Sequence, residues 1–238
     1  YFDQSSATYV GWCWDAGTST SSNTDGTITS SVRANASAGF SIVKFTNGNG
    51  TVGHGLNSPP ELIITKDIAN TYTWSTYSKP TTRNAYLAFN STAAAGTVSG
   101  MWGSAEPTSS VFGTTFYVAS VGNELIAYCF SSVDQYSRVG SYTANANANG
   151  PFVYTGFRPK WVMVKASSSA GDMSYASWII VDTERDSYNV ADAGLLGNSN
   201  AVEGTRGNGS GTAGSWMDIL SNGFKIRYSG TDVNGTSG

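Results

Sequence analysis

The stretch Phe45-Thr-Asn-Gly-Asn-Gly-Thr-Val-Gly-His-Gly-Leu56, followed by Pro60-Glu-Leu-Ile-Ile-Thr-Lys66, has a counterpart later in the chain. The counterpart is Tyr142-Thr-Ala-Asn-Ala-Asn-Ala-Asn-Gly-Pro-Phe-Val-Tyr-Thr-Gly-Phe157, followed by Pro159-Lys-Trp-Val-Met-Val-Lys165. Both stretches predict a strand, an Asn/Gly turn, a short strand, a glycine-containing corner, a proline and an apolar strand that ends in lysine. A period of roughly 100 residues is that of a small domain and not of a solenoid unit.

Three further matches follow in the same order along the chain. Residues 72–77 match 177–182, residues 85–90 match 193–198, and residues 110–116 match 219–224. Each copy holds short runs of β-branched and aromatic residues separated by Gly, Asn, Ser or Pro, and helical periodicity is nearly absent. The sequence therefore predicts an all-β protein with two tandem antiparallel β-sandwich domains of similar topology.

The first copy ends with the apolar run Glu124-Leu-Ile-Ala-Tyr-Cys-Phe-Ser131, and the chain opens with a near twin, Thr8-Tyr-Val-Gly-Trp-Cys-Trp-Asp15. No such run follows in the second copy. We therefore expect four parts, namely a strand of a preceding or neighbouring domain, a linker rich in Ser, Thr and Asn, a first sandwich repeat, and a second repeat that lacks its last strand. Their predicted bounds are 1–16, 17–37, 38–136 and 137–238.

This order of strands has two interpretations. The chain is a segment of a longer tandem array, or the opening strand of one copy completes the last domain of the next copy by strand addition. The first interpretation is the simpler. In the second, the self-assembly strand consists of Tyr9, Val10, Trp12, Cys13 and Trp14.

The composition limits the classes of function. Only 12% of the 238 residues are charged, the net charge is −3, and the basic residues are scattered, so a nucleic-acid partner is not expected. No apolar run is long enough to span a bilayer, so a membrane partner is not expected either. Low charge with abundant Gly, Ser, Thr and Asn is common in proteins that work outside cells. Cys13 and Cys129 lie at equivalent positions one domain apart, which predicts two buried free thiols and no disulfide.

Few residues suggest catalysis. The only histidine, His54, stands between two glycines, and we expect it to be a turn residue, not a general base or a metal ligand. Asp182, Glu184 and Asp186 follow an apolar strand with Arg185 among them, and a solvated turn is expected instead of the carboxylate pair of a glycoside hydrolase. The sequence thus predicts a protein that is not an enzyme and that has no catalytic residues, no metal and no cofactor.

Aromatic residues near Gly-rich loops are the candidates for ligand binding. Trp102, Trp216, Tyr175 and Tyr188 could stack on the faces of a glycan, because an aromatic ring offers contacts to sugar C–H groups. The alternative is that they cover the ends of the sandwiches or form subunit contacts. Two loops, residues 99–109 and 197–215, are expected to carry recognition.

Several segments resemble one family. They are Thr51-Val-Gly-His-Gly-Leu56, Ile126-Ala-Tyr-Cys-Phe130, Gly150-Pro-Phe-Val-Tyr-Thr-Gly-Phe-Arg-Pro159, Tyr188-Asn-Val190 and Asp218-Ile-Leu-Ser-Asn-Gly-Phe-Lys225. They look like a β-rich domain of uncharacterised function in virion structural and tail-fibre-like proteins of tailed bacteriophages, especially marine ones.

The resemblance implies a virion structural protein, namely a tail fibre, tail tip or head decoration, on the virion surface or outside the cell. Its expected partners are copies of itself or other virion proteins, and it would contribute to host attachment through a host-surface glycan. Two alternatives stand beside it. One is an extracellular filament or adhesin subunit polymerised by β-strand exchange, and the other is a carbohydrate-binding module.

Overall fold

The structure, a computed structural model, describes residues 8–168, 173–204 and 215–235. The expected all-β class is confirmed, since strands dominate and the only helices are two short 3₁₀ turns, Lys79–Thr81 and Met173–Tyr175, within these ranges. The strands of the first half are β1 (Ser21–Asn23), β2 (Ser30–Asn35), β3 (Phe40–Thr46), β4 (Gly50–Gly53), β5 (Leu62–Asp67), β6 (Ser75–Ser78), β7 (Ala85–Ala88), β8 (Gly96–Thr97), β9 (Val111–Thr114) and β10 (Glu124–Phe130). Those of the second half are β11 (Phe152–Tyr154), β12 (Trp161–Val164), β13 (Ile179–Asp182), β14 (Leu195–Leu196), β15 (Met217–Leu220) and β16 (Gly223–Ile226).

The first half is built on an eight-stranded antiparallel sheet with the order β1-β2-β3-β10-β5-β6-β7-β8. Strand β10 lies near its centre and pairs with both β3 and β5. Leu125, Ala127 and Cys129 alternate along β10 and are fully buried, as expected for one face of a sheet over a core. The two-stranded sheet β4-β9 covers that core and contributes Val52 and Phe112 to it.

The prediction that residues 17–37 form a linker is wrong. Strand β2 pairs with β3 over its whole length, and β1 pairs with β2. Ser30 and Val32 are buried on the inner face of β2, and Arg33 faces outward. The hydroxyl of Ser30 donates to the carbonyl of Gly53 at 2.8 Å, so its burial leaves the hydroxyl satisfied. A strand whose inner residues include serine resembles a linker in composition, and this similarity explains the error.

The second half repeats part of the strand order of the first. Strands β12-β13-β14 form one sheet, as β5-β6-β7 do, and β11 pairs with β16 as β4 pairs with β9. Strand β15 adds a hairpin to β16. The second half has its own core, which includes Val162, Ile179, Trp216 and Ile226.

Individual contacts also recur between the halves. The amide of Trp74 donates to the side-chain oxygen of Asn90 at 3.2 Å, and the amide of Trp178 donates to that of Asn198 at 2.8 Å. These contacts make Trp74 and Trp178 structurally equivalent.

Ring contacts in the two cores correct one detail of the sequence alignment. Phe45 meets Phe112 edge-on at 5.8 Å, and Tyr142 meets Phe224 in the same way at 6.4 Å. The counterpart of Phe224 is therefore Phe112 and not Phe116, at which the sequence match ended.

Candidate assembly surfaces

His54 is a structural residue. It follows β4 and is completely buried. Its Nε2 lies 3.1 Å from the carbonyl of Thr108, and its Nδ1 accepts the amide of Leu56 at 3.2 Å. These partners require the neutral ring with the proton on Nε2. Burial lowers the pKa of His54, which keeps the ring neutral between two backbone groups.

The acidic segment after β13 is not the solvated turn that we expected. Asp182 is buried, and its carboxylate accepts the Nε of Arg185 at 2.8 Å and the indole N–H of Trp12 at 3.1 Å. Burial alone raises the pKa of Asp182, but the bonds from Arg185 and Trp12 outweigh it and lower the pKa overall. A buried charge needs such partners, and Arg185 supplies the opposite charge three residues away.

The other two carboxylates of this segment have separate partners. Glu184 is exposed and lies 3.7 Å from the ammonium group of Lys160. Asp186 accepts the amide of Ala193 at 3.0 Å, and partial burial raises the pKa of Asp186. Each of the three acids thus contacts a different group of the fold.

Two of the four glycan candidates are core residues, so that part of the prediction is wrong. Trp102 and Trp216 are fully buried. They occupy equivalent places, because the amide of Trp102 donates to the carbonyl of Arg83 and the amide of Trp216 donates to the carbonyl of Ala191. Tryptophans beside Gly-rich loops are thus placed in the cores by long-range packing. Sequence proximity to a loop did not indicate this.

The remaining candidates differ in exposure. Tyr188 is 87% exposed, while Tyr175 lies half-buried in a 3₁₀ turn. Of the two loops expected to carry recognition, residues 99–109 contain the buried Trp102 together with the buried Met101. In the second loop, residues 205–214 lie outside the described residues.

The expected self-assembly strand does not form a strand in the single chain. Residues 8–16 have no regular pairing, and residues 1–7 lie outside the described residues. Tyr9, Val10 and Trp14 are exposed, Trp12 is half-buried, and Cys13 is exposed. The prediction of two buried thiols is therefore correct for Cys129 and wrong for Cys13.

The indole of Trp14 nevertheless contacts both halves of the chain. Its ring lies 6.5 Å from Phe40 and 6.1 Å from Phe130 in the first half, and 5.4 Å from Trp161 in the second. This aromatic cluster marks the ends of β3, β10 and β12.

A junction joins the two halves through the side of the second half that carries Trp178. Its ring lies 4.8 Å from Phe89, and its indole N–H donates to the carbonyl of Ala88 at 3.0 Å. The ammonium of Lys165 donates to the carbonyl of Thr92 at 3.1 Å, and burial lowers the pKa of Lys165 to about 8. The second half therefore uses one defined side to pack on the loop after β7.

The first half carries an exposed apolar surface on the loop that precedes Trp74 and on the loop between β9 and β10. Two loops form this surface, and the hydroxyl of Tyr72 lies 3.1 Å from that of Ser120 between them. Its apolar side chains are 47% to 61% exposed. We call this surface the loop patch, and it consists of Ile68, Tyr72, Phe116, Tyr117 and Val121. The sequence reasoning missed it.

Strand β12 has an open edge. Within the described ranges it pairs only with β13, whereas its counterpart β5 pairs with β6 on one side and with β10 on the other. The indole N–H of Trp161, the first residue of β12, is buried and has no acceptor among the described residues. Exposed strand edges are templates for pairing with another segment.

Neither a metal site nor a membrane span is found in the described part of the chain. No group of three or more His, Cys, Asp or Glu residues is placed there to hold a metal ion. The helices in those ranges are too short to cross a membrane.

The two equivalent tryptophans provide a matched test of a buried hydrogen bond. Trp102 donates its indole N–H to the carbonyl of Ala85 at 2.9 Å. The indole N–H of Trp216 has no acceptor in the described part of the chain, and the matching carbonyl of Ala193 accepts from Arg185 instead. Trp102→Phe leaves the carbonyl of Ala85 without that donor. We therefore expect this variant to lower the free energy of unfolding by about 1–3 kcal/mol more than Trp216→Phe does. Urea unfolding followed by circular dichroism measures both losses. Equal losses would contradict the hydrogen-bond assignment.

The single histidine predicts a pH dependence of stability. The folded-state pKa of His54 is lowered by burial, while the unfolded chain has a value of about 6.5. Below pH 6.5 the unfolded state therefore binds the proton first, and the free energy of unfolding falls by up to about 1.4 kcal/mol per pH unit. Unfolding between pH 7.5 and 5.5 measures this slope. His54→Gln is the control, and an unchanged slope in that variant would refute the assignment to His54.

One comparison identifies a family. No curated protein and no solved structure matches the chain. The profile of the family described as "Domain of unknown function (DUF7483)" matches residues 1–238. The match covers the whole sequence, and the chain belongs to this family.

Proposed function

We propose that the chain is a non-enzymatic structural protein of a bacteriophage virion, as a tail fibre, tail tip or head decoration, that assembles with copies of itself. The observation that carries the proposal is the loop patch. Contiguous exposed apolar surface on a folded protein marks a site of contact with another molecule. The patch contains five exposed apolar side chains held on two loops that are tied together.

The junction inside the chain supports a contact with a second copy. The second half packs on the first through the side that carries Trp178 and Lys165. The first half leaves the loop patch exposed, while its Trp74 is half-buried with its ring 6.3 Å from that of Phe89. A head-to-tail contact between copies would place the first half of one copy against the second half of another, in the manner of the internal junction.

The ionisable groups support a structural role, because those with shifted pKa values contribute to the fold. His54 joins two backbone groups, and Asp182 neutralises Arg185. Burial raises the pKa of the Asp67 carboxyl, but hydrogen bonds from the side chains of Asn70 and Asn123 and from the amides of Asn70 and Ala69 outweigh it and lower the pKa overall. These groups stabilise loops.

The place in a virion is supported by the resemblance to phage fibre-like proteins, which also supports a contribution to host attachment. Low charge fits this role, since sheets with hydroxyl and amide outer faces pack side by side without strong repulsion between like charges. The net charge of −3 is small for 238 residues.

Self-association is the first test. Sedimentation velocity over a range of concentrations is expected to show a reversible series of oligomers for the native chain. Ile68→Glu introduces a charge into the loop patch, which would have to be desolvated in the contact. We expect the dissociation constant to rise at least about tenfold, which corresponds to about 1.4 kcal/mol.

Tyr136→Glu is the matched control. It also places a charge on an exposed apolar side chain, but outside the loop patch. It should leave the dissociation constant unchanged. A native chain that stays monomeric at all concentrations, or equal effects of the two variants, would contradict the proposal.

Location in the virion has a direct test. Antibodies raised against the purified chain are expected to label intact phage particles in negative-stain electron microscopy. Particles that bind no antibody, and that contain no peptide of the chain by mass spectrometry, would refute this part of the proposal.

A further inference from the structure

We propose that the open edge of β12 binds residues 9–14 of a second copy as an antiparallel strand, in the register by which β10 pairs with β5. This inference rests on the proposed self-assembly and adds the segment and the register through which copies join. In the assembly the added strand would pair with β12 as β10 pairs with β5.

The acceptor is defined by equivalence between the halves. Strand β5 pairs with β10 from Leu62 to Asp67. The matching strand β12 has the same neighbour, β13 in place of β6, and its other edge is unpaired in the described ranges. Val162 and Val164 are buried on the inner face of β12, as Ile63 and Thr65 are on that of β5. The open edge of β12 thus lies beside a hydrophobic core, as the paired edge of β5 does.

The donor segment repeats the pattern of β10. The inward side chains of β10 run from a large apolar residue through a small one to a thiol, namely Leu125, Ala127 and Cys129. The twin positions in the opening segment are Tyr9, Gly11 and Cys13. The order of a large, a small and a thiol side chain is therefore the same.

The register follows from the pairs in the first half. Phe130 pairs with Leu62 and Cys129 with Ile63. The matching pairs are Trp14 with Trp161 and Cys13 with Val162. In the single chain the ring of Trp14 already lies 5.4 Å from that of Trp161, at the first position of this register. Beyond it the segment leaves the edge, since the indole of Trp12 reaches Asp182 on the neighbouring strand.

The order of elements favours a second copy over the chain's own segment. Strand β10 directly precedes the second half in the chain and belongs to the first half. By the same rule, residues 9–14 precede the first half and belong to a unit in front of it, which another copy supplies. The connection after them is anchored on the first half, where Asn35 donates to Asp15 at 3.1 Å and Arg33 to the carbonyl of Gly17 at 2.8 Å.

Such a contact joins unlike surfaces of two copies. A contact of this kind makes a ring if its rotation closes and an open filament if it does not. Every copy of a ring, and every interior copy of a filament, gives its opening segment to a neighbour and receives one from a neighbour.

A disulfide between Cys13 and Val162→Cys tests the register. The thiols would face each other across the strand pair, and oxidised glutathione would accept the two electrons and release two reduced glutathiones. Cys129 does not compete, because it is fully buried and burial raises the pKa of its thiol to about 12. The expected result is a ladder of covalent oligomers on a non-reducing gel, at least about tenfold more abundant than in the control below.

Met163→Cys is the control for register. A shift of one residue turns the side chain to the other face of the strand, so this thiol should not reach Cys13. Adding Cys13→Ser to Val162→Cys should abolish the ladder. If Val162→Cys fails to fold, a variant with Gly11→Cys, Val164→Cys and Cys13→Ser tests the next inward pair of the same register.

The remaining outcomes would overturn the inference. A disulfide within one chain would show that the chain's own segment fills the edge. No disulfide in either engineered pair, while sedimentation still shows self-association, would overturn strand addition and leave the proposed function in place. A chain that neither associates nor cross-links would refute both proposals.

Discussion

The structure depends on the two edges of its central strand. Strand β10 carries hydrogen-bonding groups on both sides and joins β3 to β5, so the first half is one continuous sheet over one core. Where the second half repeats β5 as β12, the central strand is not repeated within the described ranges, and the edge of β12 stays open. Because backbone N–H and C=O groups are strong obligatory partners, an edge beside a core favours a strand that would cover it.

The sequence predicted what depends on local signals and missed what depends on distant ones. The repeat was recognised because Asn/Gly turns and prolines punctuate it at fixed places. Strand β2 was missed because Ser30 faces the core, where its hydroxyl is satisfied by the distant Gly53. Trp102 and Trp216 were misplaced for a related reason, since only the packing of strands far apart in sequence decides that they are buried.

The candidate sites show the same difference between local and distant signals. His54 was expected to be a turn residue, but its role in holding Thr108 depends on a contact across 54 residues of sequence. For Asp182 a local signal did exist. Arg185 follows at three residues, and such a pair can be buried together, whereas either charge alone is costly to bury. The distant indole of Trp12, which no spacing rule indicates, completes the pair.

The proposed assembly gives the opening segment a second set of contacts besides those of the single chain, and this explains how assembly could be reversible. In the single chain Trp14 packs on Trp161 and Trp12 bonds Asp182. In the proposed assembly the segment leaves these contacts for a full strand pairing on another copy, so only the difference between the two sets drives association. A domain that exchanges an equivalent element between copies loses little in doing so. Protein concentration then decides the balance, and any setting that holds copies at high local density, as the proposed virion would, favours the exchanged form.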